Sequence, residues 1–125
     1  MSDAAHFESS LADGMVYCGP VESVRQKYYV FEAPEFFLIF SFSPTKLDSG
    51  NFNIVSKKAV NYVHKRFAGD SYVTSNIVFE GARRTKHVPN KLNALNILYI
   101  LVAQENASIE DIEEYSRLVF EIYPR

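Results

Sequence analysis

The sequence predicts an α+β domain: an N-terminal β-hairpin or small antiparallel sheet, followed by a three- to four-helix unit with a helix-turn-helix-like layout. Three observations carry this. Residues 27–32 and 36–43 are rich in Tyr, Val, Phe and Ile, and only Ala33-Pro34-Glu35 separates them. Two β-prone runs on either side of a short Pro-containing connection read as a hairpin. From Ser56 onward the apolar residues recur at helical spacing instead. Finally, positive charge gathers in the helical middle. Residues 57–91 carry eight basic residues against Asp70 and Glu80, a local charge of +6, while the segments on either side each carry −4.

With 125 residues and 47% apolar content, one domain with its own core is expected, and no metal or disulfide staple is needed. We divide the chain into a flexible arm, residues 1–14, and a single α+β domain, residues 15–125. Cys18 is the only cysteine, so no disulfide can form within the chain. The N-terminus has no basic stretch followed by an apolar one, so no signal peptide is read. The longest apolar run, residues 97–103, is far short of the ~20 residues that span a bilayer. A cytoplasmic protein without membrane contact is therefore the default expectation.

Within the arm, Phe7 and Leu11 allow one short helix. Met15-Val16-Tyr17-Cys18 reads as a strand ended by Gly19-Pro20. Residues 21–26 fit either a helical turn after Pro20 or an extended segment. In the second hairpin strand, Phe36, Leu38, Phe40 and Phe42 share one face, which is assigned to the core. Phe37, Ile39, Ser41 and Ser43 share the other, which turns polar toward its end. Residues 45–53, with Asp48-Ser49-Gly50-Asn51, read as a loop.

Ser56 suits the N-cap of the first helix, whose stripe is Ala59, Val60, Val63 and Phe67 and whose C-cap is Gly69. Tyr72-Val73 is long enough only for a bridge or mini-strand. Thr74 or Ser75 opens a second helix running to about Arg84, and Pro89 opens a third, to about Ala103. The second half of that helix is apolar all round, as expected of a buried centre or a dimer interface. Ser108, with Asp111 three residues on, reads as the start of a last, acidic helix with a stripe of Ile109, Ile112, Tyr115, Val119 and Ile122.

The charge pattern makes a small nucleic-acid-binding module, DNA before RNA, the leading expectation. In a helix-turn-helix the second helix of the pair presents its N-terminal residues to base edges. Here these are Asn90, Lys91 and Asn93, and Asn can pair with adenine through two hydrogen bonds. Lys57, Lys58, Lys65, Arg66, Arg83, Arg84 and Lys86 are the candidate phosphate contacts. Against this stands the plain reading that a Lys/Arg run is a solvated surface. The alternative function is a protein-interaction module, a subunit or adaptor that forms a homodimer through Ile97, Leu98, Ile100 and Leu101.

Two further constellations are weaker. Tyr28, Tyr29, Phe31, Phe37 and Phe40 would serve as a base-stacking platform, but sheet aromatics ordinarily pack on helices. Cys18 with His64 or His87 can be drawn as a catalytic set, yet nothing in the sequence brings them together. His6, His64 and His87 lack metal-ligand spacing, and the five glycines form no phosphate loop. No catalytic residue, metal or cofactor is assigned, and an enzyme ranks last among the readings.

Overall fold

A computed structural model of the chain describes residues 15–23, 27–42, 50–110 and 118–125. The arm, residues 1–14, lies outside them. The α+β class stands. Strands β1 (Val16–Glu22), β2 (Lys27–Glu32), β3 (Phe36–Phe42) and β4 (Gly50–Ser56) form one antiparallel sheet in sequential order. Helices α1 (Lys57–Phe67), α2 (Ser75–Ala82) and α3 (Lys91–Ala103) follow, and strands β5 (Ala107–Glu110) and β6 (Val119–Ile122) make a second, two-stranded sheet.

The β2–β3 hairpin matches the sequence expectation. Its connection is closed by the Ala33 N–H donating to the Phe36 carbonyl at 2.9 Å. Strand β1 is longer than expected. It runs through Gly19-Pro20, which pair with Val30 and Tyr29, after a register shift between Tyr17 and Gly19. Two facts permit this. Gly19 takes φ +123°, a conformation that suits glycine. Strand β1 is an edge strand, where proline's missing N–H need not serve the ladder. Val21 and Glu22 are therefore strand rather than helix, and residues 24–26 lie outside the described set.

The loop expected at 45–53 is also corrected, because Gly50–Asn53 belong to β4 and pair with β3 (residues 45–49 lie outside the described set). The alternation Phe52, Ile54 against Asn53, Val55 carries a strand signal, which the turn-forming residues just before it mask. Phe52 and Ile54 remain exposed.

The assignment of faces on β3 is reversed. Phe37 and Ile39 join Val21, Val30 and Val55 in the main core against the helices. Leu38 sits on the other face with Tyr29 and Phe31 in a smaller cluster, and Phe36 and Phe40 pack beside it. Phe42 is exposed. Both faces of the strand are apolar enough to be buried, so alternation alone did not say which one meets the helices.

Helix α3 is the centre of the molecule. Ile97, Leu98, Ile100 and Leu101 are each 0% exposed within the single chain. They present no surface to a second copy, which removes the dimer interface assigned to them. The acidic fourth helix is a second correction. Ser108 pairs with Glu121 and Ile109 with Phe120 in the β5–β6 ladder, and residues 111–117 lie outside the described set. Three helices are present among the described residues, none long and apolar enough to cross a membrane.

Strand β6 also bonds on its other side. Val73 and Phe120 exchange two backbone hydrogen bonds, of 2.9 and 2.7 Å. Gly69 N–H donates to the Ile122 carbonyl at 2.8 Å, and Ile122 N–H donates to the Asp70 carbonyl at 2.9 Å. The bridge expected at Tyr72-Val73 is thus present, and it ties the α1–α2 connection to the C-terminus.

Candidate nucleic-acid interface

The basic residues are placed first by helix geometry. Ser56 caps α1, its hydroxyl accepting from the Ala59 N–H at 3.1 Å. Ala59, Val60, Val63 and Phe67 face the core, which turns Lys58, Asn61, Lys65 and Arg66 to solvent. Helix α1 ends at Phe67 with Ala68, not Gly69, as its C-cap, and Gly69 just beyond takes φ +86°, which lets the chain turn back.

The second basic group follows α2. Arg83, Arg84 and Lys86 lie on a turn fixed by Thr85, whose N–H and hydroxyl both donate to the Ala82 carbonyl, at 2.9 and 2.7 Å. The same hydroxyl oxygen accepts from the His87 N–H at 3.2 Å. Two contacts hold this turn against α1. The rings of Tyr62 and His87 stack with centroids 4.9 Å apart. Gly81 lies so close to Phe67 that a Cβ there would sit 2.7 Å from the ring. The Tyr62–His87 stack thus joins α1 to the turn that carries Arg83, Arg84 and Lys86.

Not every candidate is available on that face. Lys57 is committed to the sheet: its ammonium lies 2.6 Å from the Glu32 carboxylate and 5.7 Å from the centroid of the Phe37 ring. Asn90 caps α3, its Oδ1 accepting from the Asn93 N–H at 2.7 Å. The Oδ1 of Asn93 is itself buried and without a hydrogen-bond partner. Lys57 and Asn90 thus serve the fold, and the Asn93 oxygen is turned away from solvent. Arg83 pairs with Glu80 at 3.0 Å, but both are exposed, and such surface pairs contribute little. Lys58, Lys65, Arg84, Lys86 and Lys91 are exposed with no ion-pair partner among the described residues, and Arg66 lies 5.2 Å from the Phe67 ring centroid.

Only the N-terminal end of α3 reaches solvent, at Lys91 and Leu92; from Asn96 to Leu101 it is buried. It therefore offers one turn, not a helix face, to any groove. The aromatic platform is not assembled either: Tyr29, Phe31 and Phe37 are buried, and Tyr28 stacks on Tyr99 at 4.3 Å inside the fold.

The histidine and cysteine positions carry no shared chemistry. His64 Nε2 lies 3.2 Å from the Tyr123 carbonyl, while His87 is held by Tyr62. Cys18 lies on β1, where burial and the nearby Glu32 carboxylate push its thiol pKa up against a smaller opposing effect of Lys57. A raised thiol pKa is the reverse of an activated nucleophile. Among the described residues, no group of His, Cys, Asp or Glu could hold a metal ion.

Sequence reasoning identified the basic residues but missed Tyr62 as the residue that joins them to the 83–88 turn. No local pattern announces a ring stack across 25 residues. Comparison with known proteins finds no match among family models, curated proteins or solved structures.

Proposed function

We propose that this protein binds nucleic acid by its phosphate backbone, through the face formed by α1 and the turn after α2. The observation that supports this is the Tyr62–His87 stack, which ties the turn carrying Arg84 and Lys86 to α1, whose solvent side carries Lys58, Lys65 and Arg66. Clustered cations on one face attract a polyanion and release its counterions. The helix-turn-helix reading of base edges is not part of this proposal, since the Asn90 side chain caps α3 and Asn93 Oδ1 is buried. Binding is accordingly indifferent to base sequence, as is usual for phosphate contacts alone.

The test is a salt titration of binding to a labelled random-sequence duplex. Five phosphate contacts give a slope of about −4 to −5 in log affinity against log salt. Replacing Lys65, Arg66, Arg84 and Lys86 together by Ala lowers that slope by about 3 to 4 and weakens binding to every sequence alike. A folded quadruple variant that binds with the original slope would refute this face as the interface.

A further inference from the structure

A second candidate site lies away from the charged residues. The inner face of the sheet is apolar toward α1 and polar at its other end. Across β3 and β4 the register runs Phe37 to Val55, then Ile39 to Asn53, then Ser41 to Asn51. Helix α3 faces this polar end with Leu92 and Asn96, spaced at i and i+4. Between helix and sheet a cleft of about 320 Å³ opens, lined by Ser41, Asn51, Asn53 and Asn96, with Tyr28, Leu92 and Leu95 as its apolar walls; the Phe52 ring lies on the other face of the sheet, beside Phe40. Tyr28 is held in place by its stack on Tyr99, whose hydroxyl lies 3.0 Å from Ser23 Oγ.

Two of the polar residues are nearly enclosed. Asn96 is 4% exposed and Ser41 is 9% exposed, and neither side chain hydrogen-bonds to another described residue. A buried carboxamide without a partner is costly to the fold, and most buried polar side chains are satisfied. Their polar atoms are not sealed in the interior, as Asn93 Oδ1 is, but retain access to the cleft that both residues line. The fold thus keeps hydrogen-bonding capacity that water, or a molecule displacing it from the cleft, can use.

We propose that this cleft binds a neutral, planar heterocycle of nucleobase size, held by the carboxamides of Asn51, Asn53 and Asn96. No charged side chain lines it among the described residues, which favours a neutral ligand over an ion. A carboxamide offers an acceptor and two donors in one plane, which matches a ring edge with an adjacent donor and acceptor. Tyr28 supplies a ring face for stacking. The volume sits at the small end of ligand pockets, roughly 300–1,000 Å³, and so suits one fused ring system rather than a polymer. This site needs no phosphate and does not depend on the basic face.

The experiment is a titration of the isotopically labelled full chain with adenosine, guanosine, cytidine and uridine, followed by NMR of the asparagine side-chain amides. A saturable shift of the Asn96 amide with at least one nucleoside, equal at low and high salt, is the expected result. Asn96→Leu, close to isosteric, lowers the affinity by about tenfold or more. Asn53→Ala, on an edge strand, serves the same purpose if Asn96→Leu does not fold. The proposal is overturned if none of the four nucleosides moves the Asn96 amide. It is equally overturned if the folded variants bind as the wild type does. Salt insensitivity separates this outcome from that of the duplex titration, which can fail or succeed independently.

Discussion

Tyr99 concentrates several demands in one side chain. It is 2% exposed, stacks on Tyr28, meets Phe120 edge-on at 5.9 Å and shares a hydrogen bond with Ser23. Burial pushes its hydroxyl pKa up to about 12 from an ordinary value of 10.0, with the Ser23 hydrogen bond acting in the opposite direction. The folded state therefore holds this proton where the unfolded chain releases it. The stabilisation is fully present below pH 10 and is lost as pH rises toward 12. Its steepest slope is no more than about 1.4 kcal/mol per pH unit. Urea unfolding followed from neutral pH to above pH 10 should show this decline, and Tyr99→Phe should flatten it. An unchanged slope in that variant would mean that Tyr99 ionises as readily folded as unfolded. The same residue shows how far sequence reading reaches. An apolar run marked it as buried, but its partners Ser23, Tyr28 and Phe120 come from three other parts of the chain.

At the scale of elements, the three described helices and the β2–β3 hairpin were legible because local chemistry and tertiary packing agree there. Ser56 and Thr74 each cap the helix that follows them, and the apolar stripe of α1 is the one its spacing indicates, whereas the third helix starts at Lys91 behind an Asn90 cap and not at Pro89. The C-terminus was not legible, because its pattern fits two periods. Ile109, Val119 and Ile122 fall on a helical stripe, yet Ile109 also lies between Ser108 and Glu110, and Phe120 and Ile122 flank Glu121. The backbone bonds from β6 to both β5 and residues 69–73 decide for strand. Phe120 separates the two arrangements. It lies off the helical stripe, but in the sheet it is 0% exposed and touches Tyr99. Phe120→Ala should therefore cost about 3–5 kcal/mol and lower the melting temperature by about 10–20 °C. A helical C-terminus would leave that side chain outside its buried stripe, and the loss would stay near about 0.5 kcal/mol. Calorimetry of the single variant distinguishes them.

For the molecule as a whole, the apolar third helix is the feature whose meaning changed most. An all-apolar segment is equally compatible with a core and with an interface between copies, and only the surrounding chain decides. Here α1, α2, the large sheet and β5 enclose α3, so the polar functions move to its exposed beginning and to the surfaces around it. Two leucines of one helix test this. Leu98 is 0% exposed and Leu92 is 60% exposed. Leu98→Ala should cost about 2–5 kcal/mol, a large share of the roughly 6–19 kcal/mol expected for a chain of this length. Leu92→Ala should change stability by about 0.5 kcal/mol or less, though it removes a wall of the cleft. If Leu98 instead packed against a twin, the melting temperature would rise with protein concentration, and Leu98→Ala would abolish that dependence. Enclosure within one chain gives a cost for Leu98→Ala that is the same at every concentration. Thermal melts of the wild type and both variants over a wide concentration range carry the decision, because the two arrangements bury the same side chain but only one does so by mass action.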